Sequence, residues 1–125
     1  MTHHIDKDTV KGIITVIHHD LIQHHDLWQM SRDVIAQLEG SVNHKILMDM
    51  RAATLKIEDW EKKEFAEAHK AIVKRTTRIA ALIKQHDPQY RDYLHFEILC
   101  ANQGIRFRIF DDERRAESWL LLPLE

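Results

Sequence analysis

The sequence predicts an α/β protein: a mostly parallel sheet of four to five strands in sequential order, helices mainly on one face, and an N-terminal β-hairpin. Three observations predict it. From about residue 10 to the end, β-branched segments alternate with segments of helical period, the signature of βαβ units. Two of the strands alternate apolar and charged residues strictly, so one sheet face is expected to be wet. Crossovers between parallel strands are right-handed, so helices keep to one side only when each strand is added beside the last. One-sided helices therefore imply sequential strand order. Ligand crevices form where strand order reverses, and such an order has no reversal.

Val10–Ile17 is β-branched and bounded by Gly12 and the His18-His19-Asp20 exit, which predicts a strand. Thr2–Asp6 is expected to pair with it as a hairpin across Lys7-Asp8-Thr9. Asp26 is placed as a helix N-cap, with Leu27, Met30, Val34 and Leu38 forming a buried stripe and Gly40 the stop. Lys45–Met50 predicts the next strand. The helix after it runs from about Ile57 to Lys74, with Glu58 and Asp59 in its first turn and Lys74-Arg75 at its end, as the helix dipole favours. Arg78–Ile83 is a strand. Asp87-Pro88 then gives a cap followed by proline at the first helical position, and Gly104 ends that helix. Ile105–Phe110 is the last strand, with Ile105, Phe107 and Ile109 opposite Arg106 and Arg108. Ile46, Met48 and Met50 stand likewise opposite Lys45 and Asp49. Asp112–Leu120 closes the chain as a helix turning Ala116, Trp119 and Leu120 inward.

Composition removes several function classes. A length of 125 residues favours one domain over 1–125. Apolar and charged shares of 44% and 30% are those of a globular chain, which excludes a disordered tail or a coiled-coil rod. No uncharged apolar run approaches the ~20 residues of a membrane span, so no membrane insertion is expected. Met1–Lys7 lacks the apolar core of a signal segment. The single Cys100 cannot form an internal disulfide, which suits a reducing cytoplasm. A net charge of −2 supplies no global field for nucleic acid. Histidine is the compositional oddity: protonating all ten would move the charge from −2 to +8, so mild acid is expected to change this surface more than most.

The chain resembles the SpoIIAA-like, STAS-type family, best known from anti-sigma-factor antagonists, and is most like uncharacterised bacterial single-domain members. The resemblance runs from about Gly12 to Leu120. Gly12–Ile17, Ile46–Arg51, Arg78–Ile83 and the tail Ile109-Phe110-Asp111-Asp112, with Ala116 and Trp119-Leu120, carry it. It implies a regulatory or protein-interaction domain with a protein partner, a second copy of the chain being one candidate. The antagonists carry a phosphorylatable serine where the second helix of the βα series begins. Lys56-Ile57-Glu58-Asp59-Trp60 stands there, and the nearest hydroxyl is Thr54. Phosphorylation acts by adding negative charge at such a helix start. Glu58 and Asp59 already supply it, so the phosphoswitch is not carried over. Arg51, Thr54, Glu58, Asp59 and Trp60 remain candidates for partner binding.

Two further constellations point to chemistry. His19, His24, His25 and His86 are candidate metal ligands at the carboxyl end of the sheet, but zinc needs three or four convergent ligands. His18 and His19 are neighbours that extended geometry turns to opposite faces, and the spacing matches no zinc signature. Lys45, Arg78, Arg106 and Arg108 are expected to share the open sheet face as a cationic stripe. Without interleaved aromatics that stripe is not a nucleic-acid surface, which leaves a solvated face or packing against a partner. Trp28 and Trp60, each in a first helical turn, are candidate anchors, whereas Trp119 is expected to be buried. Cys100 lacks a neighbouring cation to activate it, Ser31, Ser41 and Ser118 stand at no strand exit, and no glycine-rich phosphate loop exists. No cofactor and no catalytic set is expected. A metal-dependent protein is the second reading. Weak anion or lipid-headgroup binding is the third, from the related architecture of larger lipid-carrier domains, though 125 residues are expected to be too few to enclose an acyl chain.

Overall fold

A computed structural model describes residues 3–38, 44–73 and 76–123. Its elements are β1 (His3–Asp8), β2 (Ile13–Ile22), α1 (His24–Leu38), β3 (Lys45–Leu55), α2 (Asp59–His69), β4 (Arg78–Leu82), α3 (Tyr90–Asn102), β5 (Arg106–Phe110) and α4 (Glu113–Leu120). The five strands form one sheet in the order β1-β2-β3-β4-β5. The first pair is antiparallel and the rest are parallel, as the hairpin and the crossover argument predict. The hairpin closes on Asp8, whose Oδ1 accepts from Val10 and Lys11 N–H at 2.9 and 3.1 Å. Gly12 leaves the turn at a φ of +70°, a conformation that glycine adopts without strain.

Strand alternation sorts the core. Ile14, Val16, Ile46 and Met50 pack under Leu27, Met30 and Val34 of α1, Phe65 of α2 and Tyr93 of α3. Leu47, Ala80 and Leu82, on the reverse face, meet Ala116 and Leu120 of α4. The expectation of a wet face is therefore corrected for β3 and β4, while Arg106 and Arg108 of β5 stay exposed. Helices α1–α3 share one side because each is the crossover between adjacent parallel strands. Helix α4 follows the last strand, so no crossover rule fixes its side, and its apolar residues find the small side chains of β3 and β4. Its start matches expectation, with Asp112 accepting from Arg114 N–H at 2.9 Å.

Several boundaries move. Strands β2 and β3 run on to Ile22 and Leu55, so His18–Ile22 and Arg51–Leu55 are strand rather than loop. The register slips between the Ile17–Asp49 and His19–Ala52 pairs. This bulge shifts β3's inward positions from Met50 to Ala53 and breaks the alternation that sequence reading relies on. Helix α1 starts at His24, ahead of Asp26. Asp26 Oδ2 accepts from Gln23 N–H at 2.8 Å instead of capping from outside. Asp87 likewise opens a turn, accepting from Gln89 N–H at 2.8 Å, and α3 begins only at Tyr90. Helix α2 ends at His69. Gly104 stands after α3 at a φ of +75°, a left-handed stop. Thr2, Gly40, Ser41 and Lys74-Arg75 lie outside the described residues.

Candidate functional site

The carboxyl edge of the sheet brings the ends of β2 and β3 beside the first turns of α1 and α2. Glu61 ties them together. Its Oε1 accepts from Glu58 N–H at 2.9 Å, closing the start of α2, and its Oε2 lies 3.0 Å from His24 Nδ1. His24 Nε2 in turn accepts from Trp28 Nε1–H at 2.8 Å, so the proton of the neutral ring sits on Nδ1, facing Glu61. Trp60 lies over His24 with ring centroids 6.2 Å apart, yet remains 63% exposed. Leu21, paired with Thr54 at the strand ends, is 45% exposed. Glu58 and Asp59 are exposed beside Trp60. The edge thus presents two large exposed apolar side chains, Leu21 and Trp60, with the carboxylates of Glu58 and Asp59 next to the latter.

The candidate metal ligands are not gathered. Among the described residues no group of three or more His, Cys, Asp or Glu side chains is placed to hold a metal ion. Both nitrogens of His24 are engaged, so a metal there would break the contacts to Glu61 and Trp28. His25 is exposed beside Asp26 at 3.4 Å, and His19 is half-buried within β2. His86, at a φ of +56°, lies in a different cleft with Lys84, Arg108 and Arg115.

The cationic residues part company too. Lys45, Arg78 and Arg106 do sit in one register row, but Arg78 is buried and spent on structure. Its guanidinium donates to the carbonyls of Trp119, Leu122 and Pro123, satisfying the end of α4. Arg106 and Arg108 are exposed, the latter 5.6 Å from the Phe110 ring. Arg51 is held by Asp49 through two hydrogen bonds of 3.0 and 2.8 Å. Burial opposes the charged form of Asp49, but the side-chain and backbone hydrogen bonds from Arg51 outweigh it and hold the carboxyl below its usual range.

Sequence reading missed a set of polar side chains buried beneath α1–α3. Ser31 Oγ and His69 Nε2 are bonded at 2.5 Å, and His69 Nδ1–H donates to Phe65 O at 2.6 Å. Burial, opposed by that backbone bond, lowers the His69 pKa. Lys62, 2% exposed, reaches Asp59 and Asp92 at 3.1 and 3.2 Å. The Tyr93 hydroxyl and Asp87 Oδ2 are buried without a protein partner. Only the cysteine carried a usable signal: Cys100 is buried, and burial, with Glu97, pushes its thiol up to about 12.

No protein-family model and no curated protein matches the chain. Solved structures share its arrangement, and two of them establish that the fold is SpoIIAA-like. An uncharacterised protein of the DUF3478 family with a SpoIIAA-like fold, from Shewanella loihica, superposes with a TM-score of 0.61 at 17% identity, covering 94% of this chain and 91% of that one. The anti-sigma factor antagonist SpoIIAA, in its unphosphorylated form, superposes with a TM-score of 0.55 at 11% identity, covering 94% of this chain and 96% of that one. At such identities the likeness speaks for fold alone.

Proposed function

We propose that residues 1–125 act as one non-catalytic, cytoplasmic SpoIIAA-like regulatory domain that binds a protein partner through the carboxyl edge. The observation that carries this reading is Trp60, 63% exposed at the start of α2 with its ring stacked beside that of His24. An exposed tryptophan is the kind of anchor that dominates interface energetics. The SpoIIAA neighbour is an anti-sigma factor antagonist, which supports an interaction role. Regulation by a phosphoserine at this helix start is not part of the proposal, because Glu58 and Asp59 occupy it. Thr54 lies in β3 rather than at the helix, so it is no substitute.

The test compares the full chain with Trp60→Ala and Leu21→Ser variants as baits in a lysate of the source cells, with quantitative mass spectrometry. A protein retained by the wild type and lost by both variants, at unchanged thermal stability, is the expected result. Equal retention by all three overturns the edge as the contact. Sedimentation of the same samples shows whether the partner is a second copy of the chain.

A further inference from the structure

Between the sheet and the α1–α3 layer lies a cavity of about 400 Å³. Close-packed cores hold few voids larger than one water, whereas small-molecule sites run from roughly 300 to 1,000 Å³. Its wall is almost wholly apolar, with Ile46, Met48 and Met50 of β3 facing Leu27 and Val34 of α1 and Phe65 of α2. An apolar cleft of this size, open to solvent on one side, suits an apolar molecule better than a polar one. The volume exceeds what the chain length suggested.

Shape and ends narrow the occupant. Ile46 to Met50 alone run ~13 Å along the wall at ~3.3 Å per residue, so the space is elongated. One end is open: Ile35 and Ile72 line it and are 37% and 49% exposed. Tyr93, in the first turn of α3, also lines the cavity; the residue is 2% exposed and its hydroxyl has no protein partner. Other polar groups on the wall are engaged, Ser31 with His69 and Lys62 with Asp59 and Asp92. The Tyr93 proton is held on by burial, with Asp87 and Asp92 adding to it. Their charge favours an uncharged oxygen over a carboxylate beside that hydroxyl.

We propose that this cavity binds an uncharged single-chain amphiphile, its chain on the order of a dozen carbons at ~30 Å³ each, with an acceptor oxygen on the Tyr93 hydroxyl. A long-chain alcohol or methyl ester has this chemistry. Leu55 and Ile57 bring the site close to the partner edge, but Leu21, Glu58 and Trp60 do not line it, so loss of partner binding in Trp60→Ala and loss of uptake are separate readouts.

The test titrates the full chain with the uncharged fluorophore N-phenyl-1-naphthylamine, then displaces it with 1-dodecanol, methyl laurate or laurate. Saturable one-to-one uptake is expected, with 1-dodecanol displacing at least tenfold better than laurate and raising the melting temperature. Ala81→Phe adds bulk on the β4 wall of the cavity and should abolish uptake while circular dichroism shows the chain still folded. Tyr93→Phe should keep fluorophore binding, raise the melting temperature of the free protein and weaken 1-dodecanol by about tenfold, the scale of one hydrogen bond. No saturable uptake by the wild type means a closed core and overturns the site. A Tyr93→Phe protein that melts lower, or binds 1-dodecanol unchanged, overturns the placement of the oxygen.

Discussion

Replacing His18 with phenylalanine should remove much of this protein's sensitivity to mild acid. His18 is 1% exposed within β2, its ring centroid 6.1 Å from that of His3, and neither ring nitrogen has a protein partner. Burial above all, then the His3 and His19 charges, lowers its pKa to about 4, with Asp49 and Asp26 acting in the opposite sense. In the unfolded chain the same ring titrates near ~6.5. Between these values the unfolded state holds the extra proton, so the His18 contribution is complete above pH ~6.5 and is lost as pH falls towards 4. The full gap corresponds to about 3 kcal/mol, of which about 2 kcal/mol is lost by pH 5. Phenylalanine keeps a ring against His3 and cannot titrate. Urea unfolding near pH 7.5 and pH 5, followed by tryptophan fluorescence, should show the wild type losing about 2 kcal/mol more than the variant. In a melting experiment that is on the order of 8 °C. His69, also lowered by burial, contributes to both proteins and cancels in the difference. Equal losses in wild type and variant would refute the reasoning. So would a variant much weaker near pH 7.5, since a buried imidazole without partners should not be missed there.

Two further outcomes follow from buried groups. Arg78→Met leaves the carbonyls at the end of α4 without their donor and should cost about 2–4 kcal/mol in urea unfolding; a loss below about 0.5 kcal/mol would mean that water replaces the guanidinium freely. Cys100, 3% exposed with its thiol raised to about 12 by burial and Glu97, should resist a disulfide reagent at neutral pH until urea unfolds the chain, and a fast stoichiometric reaction of the native protein would contradict its placement.

Patterns that local physics controls were legible. The alternation of Ile105, Phe107 and Ile109 with Arg106 and Arg108 gave β5 its two faces, because successive strand side chains point to opposite sides whatever lies around them. Gly104 and Asp112 act locally and were placed correctly. His18–Ile22 misled because histidine and aspartate suit loops, whereas pairing with Arg51–Leu55 across a bulge holds the segment in the sheet. At the candidate site, Glu58, Asp59 and Trp60 were readable as a charged helix start bearing an aromatic. The clamp of Glu61, His24 and Trp28 was not, since it joins two connections far apart in sequence.

By itself the sequence determined the strand–helix order, the sequential sheet and the side on which α1–α3 lie, because periodicity and right-handed crossover are properties of the chain alone. Only the tertiary structure decided that α4 covers the reverse face and takes Arg78 out of the cationic stripe. It also decided that His19, His24, His25 and His86 do not converge on a common point and that a cavity remains above β3. Those outcomes depend on which surfaces meet across the fold, and spacing along the chain carries no record of that.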